Sequence, residues 1–520
     1  MRRQDIQLLA QARQGDVRAR CEVGRRYLLG VDGFGRHVAS GIEHLRQAAL
    51  SDAPAAARVL AECLPLHELL QQGLDESLQL AAQTGSAIAQ LRAAAWLSTQ
   101  RERQPQAREH LAQLVAAPHP ATAAAASAAA RALQVLDITP APQRLRALLQ
   151  ALHQAGELDG EALARLAVAR ARGRADLTAL RDALDAALAF VPAADAALAR
   201  DIAAAVQLAE SQGLQLDGLD DAALREALET SALGDRDAAY ALGRGLCGLP
   251  LPALPDSVFN DQQNMRKGAA FLLRAADAGC DEAWLHLYRL HSDHRLSVAN
   301  PQMARFFLEK AAARGQAEAQ RKLGALLLRE AGALADSEQA IAWLYQAAAQ
   351  GDGHAPGLLR SLVLPVAGSQ AEADWGIAQV RQSDPWLAAR LALARAFGLT
   401  KLEGLCVDPV DGQRDWGLVV GRNPFIQQVR LSAPRAIPAV DAAAAQALQQ
   451  AVQLYAQTRG AAGEGDLRTR SLRQRRLFER LGLDESLYFA DASANALEAL
   501  RLGPKWAWRE RAPLAAALAG

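Results

Sequence analysis

A short segment recurs at a fixed interval in this chain, and this repetition constrains the fold more than any other feature of the sequence. The glycines Gly279, Gly315 and Gly351 are spaced by 36 residues. In each copy an alanine follows the glycine at the fourth position and a leucine at the eighth. A period of this length predicts stacked copies of one supersecondary unit rather than one compact globule. The recurring alanines and leucines are Ala283, Ala319, Ala355, Leu287, Leu323 and Leu359.

The same template, with glycine or aspartate at its first position and alanine four residues later, matches other parts of the chain. No register can be assigned between Gly85 and Gly234, although the sequence there is still helical in its periodicity. The further matches are Gly15 with Ala19, Asp52 with Ala56, Gly85 with Ala89, Gly234 with Ala238, and Asp384 with Ala388.

Each period is predicted to be a hairpin of two helices. Ile341, Leu344 and Ala348 recur at helical spacing, and the run stops at Gly351, which suits the left-handed residue that closes a helix. The alanine of the next helix allows two backbones to approach closely. Because one hairpin cannot bury its own apolar stripe, its neighbours must stack on it as a superhelix.

The first copy carries further detail, with a loop GVDGFG after its first helix and the run HLRQAA in its second. This pattern resembles the Sel1-like repeat, a relative of the tetratricopeptide repeat, of bacterial type. The resemblance implies an all-α, right-handed α-solenoid of helix hairpins whose concave surface binds proteins. The matching positions are Ala19, Gly24, Tyr27, Gly30, Gly33, Ala48 and Ala49, with Leu242, Gly243, Phe271, Phe307, Leu323, Gly324 and Trp343 in later copies.

The helical repeat pattern of the sequence ends near residue 400. Two short apolar runs, Leu405 to Val407 and Trp416 to Val420, flank the turn-forming sequence DPVDG and predict a β-hairpin. Helical segments follow, so we expect a small C-terminal α+β cap domain. The predicted segments are 1–117 with Sel1-like repeats, 118–228 with degenerate helical repeats, 229–400 with a second repeat array, and 401–520 with the C-terminal domain.

Composition supports a helical protein without a strong electrostatic preference. Of the 520 residues 51% are hydrophobic but only 5% aromatic, and the 57 basic residues balance the 57 acidic ones. The alanine run at 121–130 falls short of a membrane span, and the first residues lack an apolar run of signal-peptide length. The scattered cysteines suit reduced thiols, so we expect a cytoplasmic protein. They are Cys21, Cys63, Cys247, Cys280 and Cys406.

Three patterns that can carry chemistry are interpreted as structural. GRGLCG at 243–248 matches a dinucleotide fingerprint, but it follows a predicted helix instead of a strand, so Gly243 is assigned to the repeat. A histidine cluster lacks zincin spacing and is interpreted as a polar loop between helices, and an aspartate group is interpreted as turn-forming. These residues are His286, His291, Asp293 and His294, and Asp408, Asp411 and Asp415.

The strongest local charge feature is the segment LRTRSLRQRRLFERLG near the C-terminus. On a helix Arg473, Arg476 and Arg480 share one side, which predicts a basic ridge. This ridge is either a solvated face, partly paired with carboxylates elsewhere in the chain, or a site for phosphate or an acidic protein. Trp506 and Trp508 are candidates for partner contact or for anchoring a cap.

The leading functional hypothesis is a non-catalytic scaffold or adaptor that holds a partner protein in the concave groove of a solenoid, with no catalytic, metal or cofactor residue predicted. One alternative is a solenoid that carries an enzymatic or nucleotide-responsive domain at 401–520. A second alternative, which the neutral charge does not favour, is nucleic-acid binding through the arginine-rich helix.

Overall fold

Helices make up most of the described chain, as expected where alanine and leucine, both strong helix formers, dominate the apolar residues. Within the part of the chain that the structure describes there is one sheet, of three short strands, so the predicted all-α fold with a small C-terminal α+β region is confirmed. The computed structural model describes residues 3–116, 123–156, 158–191, 196–421, 434–457 and 464–490.

Contacts divide the chain into two units, the first of which is Met1–Ala283. Its helices are α1 (Arg3–Gln14), α2 (Val17–Leu29), α3 (Val38–Ala49), α4 (Ala53–Cys63), α5 (Leu66–Gln71), α6 (Asp75–Gln83), α7 (Ala87–Ser98), α8 (Gln104–Ala116), α9 (Ala123–Ile138), α10 (Arg144–Gln154), α11 (Gly160–Arg174), α12 (Leu177–Leu188), α13 (Ala196–Ser211), α14 (Asp221–Ser231), α15 (Arg236–Leu246) and α16 (Met265–Asp277).

The second unit is Trp284–Gly520. Its helices are α17 (Glu282–Ser292), which begins just before it, α18 (Pro301–Ala313), α19 (Ala317–Glu330), α20 (Leu334–Ala349), α21 (Ala355–Arg360), α22 (Gln370–Ser383), α23 (Pro385–Ala396), α24 (Lys401–Cys406), α25 (Pro409–Gly412), α26 (Ala442–Gln457) and α27 (Leu467–Leu481).

Helices of the first unit pack on their second neighbours as well as their first. Helix α11 contacts α12 and α13, while α12 contacts α14 and α13 contacts α15. Contacts between alternate helices produce two layers of stacked helices, which is the arrangement of a helix-pair repeat. The right-handed turn of the solenoid stays a prediction, as do the four predicted segment boundaries.

The connections between repeats combine a left-handed glycine with a capping residue. Gly15 has φ 100° and Gly351 has φ 88°, in the region that glycine enters without a Cβ penalty. After Gly15, Asp16 caps the next helix, and its carboxylate accepts a hydrogen bond from the backbone N–H of Ala19 at 2.7 Å. After Gly351, the Asp352 carboxylate likewise accepts from the backbone N–H of Ala355, at 2.9 Å. The predicted helix-closing role of Gly351 is therefore confirmed.

Two matches to the repeat template are wrong at their first position, although the matched alanines Ala56 and Ala388 are buried as predicted. Asp52 and Asp384 were aligned with the glycines, whereas each is the N-cap of its helix. The Asp52 carboxylate accepts from the backbone N–H of Ala55, as Asp16 does from Ala19. Aspartate is favoured at an N-cap by this hydrogen bond and not by a left-handed backbone, so it belongs to the position after the glycine.

The alanines of the template lie at closely packed contacts, as predicted. Ala283, Ala319 and Ala355 have 0% exposure, and Ala19 has 4%. Because their side chains are fully enclosed, a larger residue at any of them would displace its neighbours.

The Leu-Gly positions mark the closest approach of paired helices. A Cβ on Gly24 of α2 would lie 2.6 Å from Cγ of Leu45 on α3, and a Cβ on Gly41 would lie 2.6 Å from Cδ2 of Leu28. A Cβ on Gly324 would likewise lie 2.9 Å from the backbone oxygen of Ala340. These glycines let a leucine of the facing helix fill the space that their own side chain would take.

Tyr27 packs over the glycine-rich loop that follows α2. Its ring meets that of Phe34 edge to face, with 4.9 Å between the centroids. Gly30 and Gly33 of the same loop have φ 70° and 82°, so the loop reverses through left-handed residues and returns Phe34 to the helix.

The predicted β-hairpin after residue 400 is half correct. The strands are β1 (Gln413–Arg414), β2 (Gly417–Val420) and β3 (Arg435–Pro438), antiparallel in the order β1-β2-β3. The run Leu405 to Val407, expected as a strand, instead ends α24. Thr400 and Glu403 form a reciprocal capping box that starts this helix, which short apolar runs alone do not reveal.

The histidine cluster is not confined to a loop. His286 and His291 lie on α17, whereas Asp293 and His294 follow it. The interpretation as a polar loop is therefore wrong for the first two residues. The apolar spacing of Trp284, Leu287 and Leu290, all buried, makes this segment helical despite its polar content.

Candidate functional site

A shallow groove runs along the surface of the first unit between α11 and α13. Its volume is about 630 Å³. Small side chains and a glycine form much of its floor, so the helix surface stays low enough for another chain to approach closely. The lining residues are Ala169, Arg172, Gly173, Ala204, Gln207, Leu208 and Ser211.

The opposite faces of the two helices form the core behind the groove. Ala164, Val168 and Ala171 are buried on α11, and Ile202 and Val206 are buried on α13. Spacings of three and four residues place each set on one side of its helix. The groove is therefore supported by packed helices and presents their outer side chains.

Charged side chains beside the groove are paired. Arg165 and Arg172 approach the same carboxylate, that of Asp201 on α13, at 3.2 and 3.6 Å. All three are partly exposed, so these ion pairs contribute little stability and remain available for exchange with a partner. The rim of the groove is polar and its floor is apolar, which is the usual anatomy of a protein interface.

Sequence reasoning missed this groove because it lies in the segment that could not be placed in register. The template required glycine, but the position is occupied by Ala175, which has φ 51°. Asp176 then caps α12 by accepting from the backbone N–H of Ala179, at 3.0 Å. Searching for an aspartate followed three residues later by alanine, without requiring glycine, would have found this connection.

The three candidate arginines lie on α27, and their surroundings differ. Arg473 is partly exposed and is paired with Asp384, with 3.2 Å between Nη1 and Oδ2. Arg480 is exposed and donates a hydrogen bond to the Ser383 hydroxyl at 3.2 Å. Arg476 is exposed and makes no ion pair within the described ranges. Trp506 and Trp508 lie outside the described residues.

Buried carboxylates of the C-terminal region are held by arginines. Glu403 accepts two hydrogen bonds from Arg435, at 2.8 and 2.9 Å, and Glu464 accepts two from Arg390, at 2.5 and 3.0 Å. Although burial alone would raise the pKa of each carboxyl, the facing guanidinium keeps both pKa values below the ordinary range. A general acid needs a raised pKa, so these two residues are suited to holding the fold together.

Buried thiols are equally unsuited to nucleophilic chemistry. Burial raises the pKa of Cys247 to about 12 and that of Cys280 to about 11. Since the thiolate is the reactive form, both side chains stay protonated and inert near neutral pH.

The solved structures that are similar to this chain include two repeat proteins. No family model matches the chain, and neither does any curated protein. A protective antigen of uropathogenic Escherichia coli strains, displaying an SLR fold, has 17% identity and a TM-score of 0.30, with 91% of this chain and 94% of that chain covered. A Sel1 repeat protein from Oxalobacter formigenes has 20% identity and a TM-score of 0.25, with 68% and 89% covered.

The fold assignment rests on the repeat geometry of this chain itself. The repeat features follow one another in order at α2. They are the left-handed turn at Gly15, the helix cap at Asp16, the buried Ala19 and the close helix approach at Gly24. The chain has the fold of a helix-hairpin repeat, and these are positions at which its sequence resembles the Sel1-like repeat. Within the described part of the chain, no helix is long and apolar enough to cross a membrane, and no group of three metal-ligating side chains is found.

Proposed function

We propose that this chain is a non-catalytic scaffold that binds a partner protein along its stacked helices, in the groove between α11 and α13. The proposal is supported by the groove itself, which is open to solvent, has a volume of about 630 Å³ and has small residues on its floor. Repeat proteins of stacked helices use such extended surfaces for binding.

The chemistry of the groove supports a peptide or a helix as its occupant. Ala169 and Gly173 lie four residues apart on α11, and Ala204 and Leu208 have the same spacing on α13. Two low ridges of this kind accept a row of side chains from an extended or helical partner segment. Gln207 and Ser211 offer hydrogen-bonding groups along the same edge.

Blocking the groove tests the proposal. Ala169 is exposed on α11, so Ala169→Trp fills the groove without entering the core. Ala222, exposed on α14 and not part of the groove, supplies the matched control Ala222→Trp. A partner is first captured on the unaltered chain from its native cells, identified by mass spectrometry, and purified for calorimetry with all three proteins.

We expect the unaltered chain and Ala222→Trp to bind the purified partner equally, and Ala169→Trp to lose at least about tenfold in affinity, as for a residue at the centre of an interface. Equal affinity of all three proteins would contradict the proposal, and so would an equal loss in both tryptophan variants.

A second surface for the same scaffold function is the exposed part of α27. Arg476 and Arg480 extend from one face of the helix, and within the described residues neither has a carboxylate partner. We propose that they contact an acidic segment of a protein partner. Long-range attraction between such groups accelerates association and weakens with added salt.

Paired substitutions test this surface. Arg476→Gln with Arg480→Gln is expected to weaken partner binding and flatten its salt dependence. The control combines Arg18→Gln with Arg131→Gln, at two exposed positions of the first unit. It removes the same charge and should change neither the affinity for the partner nor its salt dependence. Unchanged affinity of the α27 variant would eliminate this surface, and tighter binding to nucleic acid than to the protein partner would contradict the assignment.

A further inference from the structure

A second cavity of the first unit, of about 260 Å³, lies apart from the α11–α13 groove. It is formed by the turn after α7, which includes Gln100, and by the connection from α11 to α12 around Arg174 and Asp176. The cavity is smaller and more enclosed than the groove, which suits a small ligand or one chemical group of a larger one.

Two arginines of α11 line this cavity, and within the described ranges neither forms an ion pair with a carboxylate. Arg170 and Arg174 are four residues apart, so they extend from the same side of the helix. The Arg170 guanidinium lies 5.0 Å from the centre of the Trp96 ring and donates to the amide oxygen of Gln100 at 2.9 Å. These neutral contacts hold its planar group in place but do not form an ion pair with its charge.

The surroundings of Arg170 disfavour the positive charge of its guanidinium. Burial lowers the pKa of Arg170, and the positive charges of Arg174 and Arg103 lower it further, against a smaller opposing effect of Asp75. Arg103 in turn donates to the amide oxygens of Gln106 and Gln79, at 3.0 and 3.4 Å, and so adds positive charge nearby. An anion in the cavity would relieve this repulsion.

Gln100 supplies an additional donor. Its Nε2 atom is buried and has no hydrogen-bond partner in the described part of the chain. An unsatisfied buried donor costs free energy that a ligand oxygen can recover. The Gln100 side chain therefore orients Arg170 through its oxygen and offers its nitrogen to a ligand.

The acidic groups near the cavity are mostly engaged elsewhere. Asp182 pairs with Arg101 through two hydrogen bonds, at 2.6 and 3.0 Å. Asp176 lines the cavity as well and is exposed to solvent, and its Oδ1 accepts the backbone N–H of Ala179 as the cap of α12. Glu102 lines the cavity and is exposed to solvent, where water screens its charge.

We propose that this cavity binds an oxyanion, a carboxylate or a phosphate group, through Arg170, Arg174 and the amide of Gln100. The planar guanidinium of Arg170 matches the geometry of two oxygens of one such group. This site is separate from the groove and does not depend on the scaffold function.

Calorimetric titration of the full chain with inorganic phosphate, and separately with succinate, tests the proposal and distinguishes the two anion classes. Binding of either anion that weakens as sodium chloride is raised is the expected result. Arg174→Gln is the first variant because Arg174 is exposed and its loss leaves the core intact. We expect it to weaken binding about tenfold, the effect of one hydrogen bond to a charged group.

The matched control is Arg200→Gln on α13, where an exposed arginine donates a hydrogen bond to the carbonyl of Ala196 on its own helix. Arg170→Lys provides a second variant that keeps the charge but loses the planar fork, and it should also weaken binding. Failure of both anions to bind at millimolar concentration would overturn the proposal. An equal loss in Arg200→Gln and Arg174→Gln would overturn it as well.

Discussion

Arg473 on α27 pairs with Asp384, the residue that caps α23, with 3.2 Å between Nη1 and Oδ2. The other carboxylate oxygen of Asp384 accepts a hydrogen bond from the backbone N–H of Leu387, at 2.9 Å. Asp384 is only 6% exposed. One buried carboxylate thus caps a helix and fixes α27 against the α22–α23 turn.

Removing the positive partner should destabilise the fold. We expect Arg473→Gln to lower the free energy of unfolding by about 1 to 3 kcal/mol, because the Asp384 carboxylate would stay buried without its ion pair. Arg475→Gln is the control, since its pair with Glu479 is exposed and should contribute less than about 1 kcal/mol. Urea denaturation measures both, and indistinguishable midpoints would contradict the structural role of Arg473.

Ala319 is predicted to be intolerant of a larger side chain. Since it is fully buried on α19, Ala319→Leu should overpack the contact and cost about 1 to 3 kcal/mol of stability. Ala319→Gly acts mainly through helix propensity and should cost up to about 1 kcal/mol. Thermal unfolding is the measurement, with Ala313→Leu at an exposed position of α18 as the control. An unchanged melting temperature for Ala319→Leu would show that the contact is loose.

The Glu403–Arg435 pair should make stability depend on pH in the acid range. Arg435 and Thr400 outweigh burial and hold the pKa of Glu403 in the folded chain below its ordinary value of 4.5. The unfolded chain therefore binds the proton more readily, so the stabilisation is complete above pH 4.5 and is lost as pH falls through the folded pKa.

Comparison with Glu403→Gln isolates this effect from other carboxylates. At pH 7 the variant should be less stable by about 3 kcal/mol or more, because a buried arginine loses its partner. The difference from the unaltered chain should shrink as the pH is lowered below 4.5. A difference that stays constant across denaturation curves from neutral to acid pH would refute the assignment.

Ala175 stores strain that glycine would release. Its φ of 51° lies in the left-handed region, which is unfavourable by about 1 to 2 kcal/mol for a residue with a Cβ. Ala175→Gly should therefore stabilise the chain by up to about 1 kcal/mol once the greater freedom of glycine in the unfolded state is subtracted. Ala155→Gly, at a helix end with φ −75°, should instead destabilise it. Stabilisation by both substitutions would contradict this explanation.

The sequence predicts the repeat correctly wherever the residue that favours the turn and the residue that packs between helices are both present. Gly315 and Ala319 show both the left-handed turn and the buried contact that their spacing predicts. The template failed at Ala175 because the backbone conformation is kept there while the residue that favours it is absent. It failed by one position at Asp52 because capping aspartates and turn glycines are neighbours in the repeat.

The candidate sites were less predictable because they depend on contacts between distant parts of the chain. The sequence placed Arg473, Arg476 and Arg480 on one helical side, but the partner of Arg473 lies 89 positions away. The oxyanion cavity joins Gln100 to Arg170, which are 70 positions apart. No local pattern encodes such pairs, which follow only from how the helices stack.

At the crossing of α2 and α3, Gly24 faces Leu45 while Gly41 faces Leu28, so each helix contributes one glycine and one leucine. Each leucine fills the space beside the glycine that it faces. A larger residue at the glycine position of one helix therefore requires a smaller residue at the facing leucine position of the other. Evolutionary change should therefore proceed here by compensation, with an alanine at position 24 accompanied by a smaller residue at position 45. Such covarying pairs would allow related chains to be aligned even where their overall identity has decayed.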